Sequence, residues 1–273
     1  MTPQLRENRN EVKTADSSAG AFSRLSPNIP TNLPALRARL IGREKELDEI
    51  RDLLLRDDVN LLTLAGLGGA GKTTLALHSA NLMLESFPEG VFFVNLAPIS
   101  HPDQILVTIA QTLNVPEQAE GSLLESLRDF LGSRPHLLVL DNLEQLMDGV
   151  TQIGALLDSS KLLKILATSR EALRLRGEQV FPVDPLSNEY AVELFAQRAR
   201  SLNPEFSLTD ENRSAVYELC RRLDRLPLAI ELAALRTRLF SPQMLLDLFQ
   251  RDANPASPVL DLLSDGARDL PPR

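Results

Sequence analysis

Cysteine is almost missing from this 273-residue chain: Cys220 is the only one, which excludes an intrachain disulfide and a cysteine cluster for zinc. It falls in an apolar-periodic helical stretch and reads as a small core residue. Histidine is scarce too, and His78, His101 and His136 are too scattered to act together as ligands. A metal site built from protein groups alone is therefore not expected. No apolar stretch approaches the roughly 20 residues of a membrane span, and the polar start Met1-Thr2-Pro3-Gln4-Leu5-Arg6-Glu7-Asn8 has no signal-peptide apolar segment. No membrane contact is expected, and the expected location is the cytoplasm. Basic excess is also lacking: the net charge is −8, residues 36–185 hold 14 basic and 21 acidic side chains, and residues 186–251 hold 9 of each. That is not the charge of a nucleic-acid surface, so no direct nucleic-acid contact is expected from this chain. Finally, no Asn-Lys-x-Asp occurs. The usual guanine-reading motif is missing, and adenine is the expected base.

What is present is an ordinary globular composition, 43% hydrophobic, between two irregular ends. Residues 1–35 carry four prolines with several Ser, Asn and Thr, and read as a flexible, disordered leader; residues 252–273 carry four more and read as a connector. Between them, apolar runs at Leu61–Leu64, Val91–Asn95, Leu137–Asp141, Lys164–Thr168 and Gln179–Val183 are separated by helical stretches such as Pro102–Leu113 and Ser122–Leu131. Strands alternating with crossovers predict an α/β domain over residues 36–185 with a five-stranded parallel sheet. In Glu44–Leu55, which precedes the first strand, Leu47, Ile50 and Leu54 form one apolar face. From Ser187 the pattern turns all-helical: Glu189–Leu202, Asp210–Leu223, Pro227–Leu239 and Pro242–Phe249 predict a small helical subdomain over residues 186–251.

Residues 66–74 read Gly66-Leu67-Gly68-Gly69-Ala70-Gly71-Lys72-Thr73-Thr74, a complete phosphate-binding loop G-x-x-x-x-G-K-[ST]. Its flanks suit it. Before it, Asn60-Leu61-Leu62-Thr63-Leu64-Ala65 is a run fit for a strand buried on both faces; after it, Thr73 to Glu85 is free of Gly and Pro, with Leu77, Ala80 and Leu84 three or four apart. At such a turn, glycines admit the positive φ values that aim backbone N–H groups inward, and the helix N-terminus adds partial positive charge. Lys72 is expected to reach the β- and γ-phosphates, and Thr73 to ligate the Mg²⁺ that arrives with the nucleotide.

Downstream, His136-Leu137-Leu138-Val139-Leu140-Asp141-Asn142 is an apolar strand ending in an acid, expected to hold Mg²⁺ through water, opposite Thr73. Motor-type ATPases place a glutamate next, as the base that orients the attacking water. Here the residue is Asn142, whose amide cannot accept a proton, and Glu144 lies two residues further on. Slow hydrolysis or none is expected. Lys164-Ile165-Leu166-Ala167-Thr168-Ser169-Arg170 brings an arginine to the same carboxyl edge, where ligands of open α/β sheets sit. Two readings of Arg170 stand: contact with the γ-phosphate, or a solvated strand-end arginine paired with Glu171 or Glu178.

Together these elements resemble the signal-transduction ATPases with numerous domains (STAND), the NB-ARC/NACHT-like switches, and most closely the bacterial AfsR/LuxR-type transcriptional regulators. The match spans roughly Leu40 to Arg238. Its pieces are Ile41-Gly42-Arg43-Glu44-Lys45-Glu46-Leu47, the phosphate loop, Leu137-Leu138-Val139-Leu140-Asp141-Asn142-Leu143-Glu144, Ala167-Thr168-Ser169-Arg170-Glu171, and Leu226-Pro227-Leu228-Ala229-Ile230-Glu231-Leu232-Ala233-Ala234. The resemblance implies an ASCE-type P-loop NTPase fold with ATP or ADP and Mg²⁺ as its cofactors. It implies that Arg43 packs near the adenine end, that Arg170 senses the γ-phosphate, and that Pro227 contacts the nucleotide. From the residues alone, Pro227 reads rather as an ordinary helix-starting proline.

Two departures from the family pattern are visible. Arg225 stands where the family usually has glycine before Leu-Pro, which puts a side chain on an expected left-handed helix end. The family also continues into a winged-helix domain with a nucleotide-sensing histidine, whereas this sequence ends at Arg273; the expectation is a truncated protein or an excised module. The function expected is an adenine-nucleotide switch, resting with ADP and a weak ATPase at most, whose full-length form self-associates in a nucleotide-dependent way. The alternatives are an actively hydrolysing AAA+-like ATPase and a nucleotide-stabilised interaction module without switching. The candidate site set is Arg43, Gly66, Gly68, Gly69, Ala70, Gly71, Lys72, Thr73, Thr74, Asp141, Arg170 and Pro227, with Lys72, Asp141 and Arg170 as candidate catalytic groups.

Overall fold

The five apolar runs form one sheet: β1 (Leu61–Ala65), β2 (Gly90–Asn95), β3 (His136–Asp141), β4 (Lys164–Ser169) and β5 (Glu178–Pro182). The computed structural model describes residues 29–36, 39–116, 121–132 and 134–251; the expected leader up to residue 28 and the expected connector 252–273 lie outside the described residues. The strand order is β2-β3-β4-β1-β5, and every pairing is parallel. Parallel neighbours need crossovers, and helices supply them on both faces.

Alternate residues of a strand face opposite sides. Leu138 and Leu140 of β3 join the layer that holds Ile105 and Ile109 of α3 (Gln104–Leu113), Leu127 of α4 (Leu123–Leu131) and Ile153 of α5 (Val150–Ser159). Leu137 and Val139 join the opposite layer, with Ile50 and Leu54 of α1 (Glu44–Leu54) and Leu75 and Ala80 of α2 (Lys72–Leu82). Each fully buried leucine contributes about 1.5–3 kcal/mol relative to exposure, so a strand apolar on both faces is held firmly between the layers. The start of α4 is fixed locally by a capping box: Ser122 Oγ accepts from the Glu125 N–H at 3.2 Å, and Glu125 Oε2 accepts from the Ser122 N–H at 2.8 Å.

Residues 30–32, expected to belong to the leader, instead line the outer edge of β2. The Val91 N–H donates to the Pro30 carbonyl at 3.0 Å, and Thr31 bridges Val91 in parallel. The Asn32 amide exchanges bonds of 2.7 and 2.9 Å with the Phe93 backbone. The cause is the position of β2: an edge strand has outward N–H and C=O groups that need partners.

The helical subdomain consists of α6 (Asn188–Leu202), α7 (Asp210–Arg222), α8 (Pro227–Leu235) and α9 (Pro242–Arg251). They share a third core around Phe195, Val216, Leu219, Cys220, Ile230 and Ala233. Cys220 is a core residue, as expected, and burial pushes its thiol pKa up to about 12. The helix expected to reach Leu239 stops at Leu235 and tightens into a 3₁₀ turn, Arg236–Arg238. No helix among the described residues is long and apolar enough to cross a membrane.

Candidate nucleotide-binding site

The strand-to-helix turn after β1 is built around two glycines with different duties. At Gly66, a Cβ would lie 2.5 Å from the Val183 carbonyl oxygen, so the close approach of the chain beyond β5 admits no side chain. At Gly71, φ is +91°, and this left-handed residue caps α2. Helix α2 therefore begins at Lys72, and its first N–H groups, which lack partners within the helix, lie at the end of the loop.

Lys72 is 9% exposed, and its Nζ donates to the carbonyls of Gly66 at 2.9 Å and Leu67 at 3.1 Å. Burial lowers its pKa, an effect opposed by the charges of Glu144 and Asp141 and assisted by that of Arg170. Those three groups come from the ends of β3 and β4, so the carboxyl edge of the sheet gathers its charges around the loop.

Asp141 ends β3 and is buried. Its Oδ1 accepts from Thr73 Oγ1 at 2.7 Å and from Thr168 Oγ1 at 2.6 Å. Thr168 Oγ1 in turn accepts from the Asn142 N–H at 2.9 Å. Thr168 was not singled out from the sequence; a hydroxyl in an otherwise apolar strand, beside the expected sensing arginine, was the available signal. Beyond β3, Asn142 takes a left-handed conformation (φ +72°), and the chain turns into a 3₁₀ segment, Leu143–Gln145. Arg170 follows β4 and donates through Nε to Glu144 Oε1 at 3.1 Å. Neither expected partner holds it. Glu178 instead accepts from the Leu173 and Arg174 N–H groups at 2.8 and 2.7 Å.

Of the remaining site residues, Arg43 reaches the loop from the start of α1 and Pro227 from the helical subdomain. Arg43 is buried; it pairs with Glu46 at 2.7 Å, donates to the Ala70 carbonyl at 3.4 Å and to the carbonyl of Asp184. Its guanidinium thus ties together the start of α1, the phosphate loop and the segment after β5. Pro227 is the first residue of α8, and a Cβ on Gly71 would lie 3.7 Å from its ring. The Leu228 N–H donates to the Gly69 carbonyl at 3.2 Å, a direct backbone bond between α8 and the loop. Gly68 faces open space, and Thr73 and Thr74 are exposed. A separate open surface hollow of about 420 Å³ on the helical subdomain, lined in part by Phe206, Asn212 and Leu239, involves none of the candidate site residues.

These groups fit a magnesium-bound nucleotide. The loop and the start of α2 supply backbone amides and one ammonium, and two hard oxygens that could hold the cation, Thr73 Oγ1 and Asp141 Oδ1, sit side by side.

Residues 43–203, more than half of the chain, match the NB-ARC domain. The chain belongs to the NB-ARC family. It is 44% identical over 189 residues to a Mycobacterium tuberculosis protein, Rv0890c, provisionally named an HTH-type transcriptional regulator, covering 68% of this chain and 21% of that protein. It is 30% identical over 244 residues to the regulatory protein AfsR of Streptomyces griseus, covering 85% of this chain and 24% of AfsR. The chain thus spans only about a quarter or less of the length of these regulators. Among solved structures, Cdc6p from Pyrobaculum aerophilum superimposes with a TM-score of 0.56 at 18% identity over 78% of this chain and 65% of that one, which speaks for the shared fold alone. This NB-ARC chain is a nucleotide-binding signalling module with a P-loop NTPase sheet and an appended helical subdomain.

Proposed function

We propose that this NB-ARC chain is an adenine-nucleotide switch that rests with ADP bound, hydrolyses ATP slowly or not at all, and acts as part of a transcriptional regulator. In this reading Gly66, Gly68, Gly69, Ala70 and Gly71 and the first amides of α2 cradle the phosphates, with Thr74 beside them. Lys72 reaches the β- and γ-phosphates, Thr73 and Asp141 hold Mg²⁺, and Arg170 reads the γ-phosphate. Arg43 holds the adenine end of the site in shape through its protein contacts, and Pro227 meets the nucleotide from the helical side.

The observation that carries the switch is the bond from the Leu228 N–H to the Gly69 carbonyl at 3.2 Å. It couples the helical subdomain to the element that meets the phosphates, so a change at the γ-phosphate reaches α8 through one peptide. Asn142 supports slow turnover, since an amide cannot take the proton of the attacking water. The similarity to AfsR and Rv0890c supports a place in transcriptional regulation.

Isothermal titration with ADP and ATP, with and without Mg²⁺, tests the reading. Both nucleotides are expected to bind, and Lys72→Ala to weaken binding about a hundredfold or more. Wild-type affinity in that variant would overturn the assignment. Limited proteolysis is expected to give different patterns in ADP and ATP; identical patterns would leave a nucleotide-stabilised module. Steady-state phosphate release on the order of 1 per second or faster would instead identify a continuously cycling ATPase.

A further inference from the structure

The function proposed above uses Arg170 but leaves Glu144, the residue that holds it, without a role. Glu144 is fixed from several sides. Asn142 turns the chain through a left-handed conformation, Leu143 is fully buried, and the Gln145 amide donates to three carbonyls, those of Leu96, Ala97 and Ile99, at 3.0, 3.0 and 2.8 Å. The Glu144 side chain is 18% exposed, whereas that of Arg170 is 69% exposed. Glu144 is therefore a fixed post, and Arg170 a free arm resting on it.

The contact is also weak for its kind. It runs through Nε of Arg170 alone, while Glu144 Oε2 is buried with no hydrogen-bond partner among the described residues. A two-point arginine–carboxylate fork would be stronger, and a one-point pair with an exposed arginine holds only weakly. A terminal phosphate, with more charge and three acceptor oxygens, outcompetes such a partner.

We propose that Glu144 is a specificity-determining residue: its carboxylate occupies Arg170 when no γ-phosphate is bound, so that ATP binds only by displacing it and ADP is favoured. The inference rests on the nucleotide-binding reading above. ADP leaves the Glu144–Arg170 pair intact, while ATP must break it. The pair biases the module towards its ADP form and sets how much ATP is needed to change state.

The test is a double-mutant cycle on the 273-residue chain, titrated with Mg²⁺ plus either ADP or the imido-bridged, non-hydrolysable ATP analogue. Glu144→Gln is expected to tighten the analogue about three- to tenfold, with ADP affinity changed less than about twofold. Arg170→Gln is expected to weaken the analogue, and adding Glu144→Gln to it to restore little. An unchanged ratio of analogue to ADP affinity in Glu144→Gln would overturn the proposal. So would an equal gain in both backgrounds, because that is plain charge repulsion between Glu144 and the phosphate. Failure of the wild-type chain to bind either nucleotide would instead remove the underlying nucleotide-binding reading, a result distinct from both.

Discussion

Thr73 Oγ1 donates to Asp141 Oδ1 at 2.7 Å, across 68 residues of sequence and from the end of one strand to the helix that follows another. The two strands are not neighbours, because β4 lies between β1 and β3. The distance is closed by the loop, which starts α2 at Lys72 and brings its second residue over the end of β3. Two oxygens so placed could hold a hard cation, directly or through water.

That pairing predicts a specific failure. Thr73→Val keeps the shape of the side chain and removes the oxygen, so the affinity for ATP in excess EDTA should change little. The improvement on adding Mg²⁺ should shrink about tenfold. Asp141→Asn should act in the same direction. Calorimetric titration in both buffers reads the effect, and an equal loss with and without Mg²⁺ would assign Thr73 to the start of α2 rather than to the cation.

The turn between α7 and α8 carries a backbone cost that can be removed. Asp224 and Arg225 both have positive φ, +51° and +56°. The turn is nevertheless well bonded, with the Arg225 N–H donating to the Cys220 carbonyl at 3.0 Å and the Leu186 N–H donating to the Arg225 carbonyl at 3.2 Å. A non-glycine residue in this region costs about 1–2 kcal/mol, part of which glycine gives back through a freer unfolded chain. Arg225→Gly should therefore stabilise the protein by about 0.5–1 kcal/mol. A urea melt would show a higher midpoint with an unchanged slope, and an unchanged or lower midpoint would mean the arginine side chain repays its own strain.

The sheet was legible because its central strands β1 and β3 are covered on both faces, which favours long apolar runs, and each observed strand starts and ends within one residue of its expected range. Helix α5 was not anticipated. Two 3₁₀ turns, Leu143–Gln145 and Met147–Gly149, come first and break the helical spacing before Val150, Ile153 and Leu156 restore it. The phosphate loop and Asp141 could be read from motif and spacing, since one turn and one strand end define each. The partner of Arg170 could not. Glu171 and Glu178 were nearer in sequence, but the partner is set by which strand lies beside β4, and β3 brings Glu144 there from 26 residues away. Arg43 was legible only by resemblance, and its contacts with Glu46, Ala70 and Asp184 depend on where the chain emerges from β5. The edge role of residues 30–32 was hidden for a similar reason: the Asn32 side chain meets the Phe93 backbone only because β2 ends the sheet.

His136 opens β3 between two phenylalanines, its ring centroid 6.5 Å from that of Phe92 and 5.7 Å from that of Phe130. Burial lowers its pKa from the usual 6.5, an effect opposed by the Arg134 carbonyl, which lies 3.3 Å from Nδ1. Below pH 6.5 the unfolded chain therefore takes up a proton at this site more readily than the folded one. The stability linked to neutral His136 is fully present above that pH and is lost as pH falls towards the depressed folded value. His136→Phe keeps an aromatic ring at the start of β3 and removes the titration, so its urea midpoint should fall less between about pH 7 and pH 5 than that of the wild type. Carboxylates elsewhere contribute the same background slope to both proteins, so the difference between the two profiles isolates the histidine. Parallel profiles would mean that the ring reaches water when protonated and that the Phe92–His136–Phe130 stack opens at little cost.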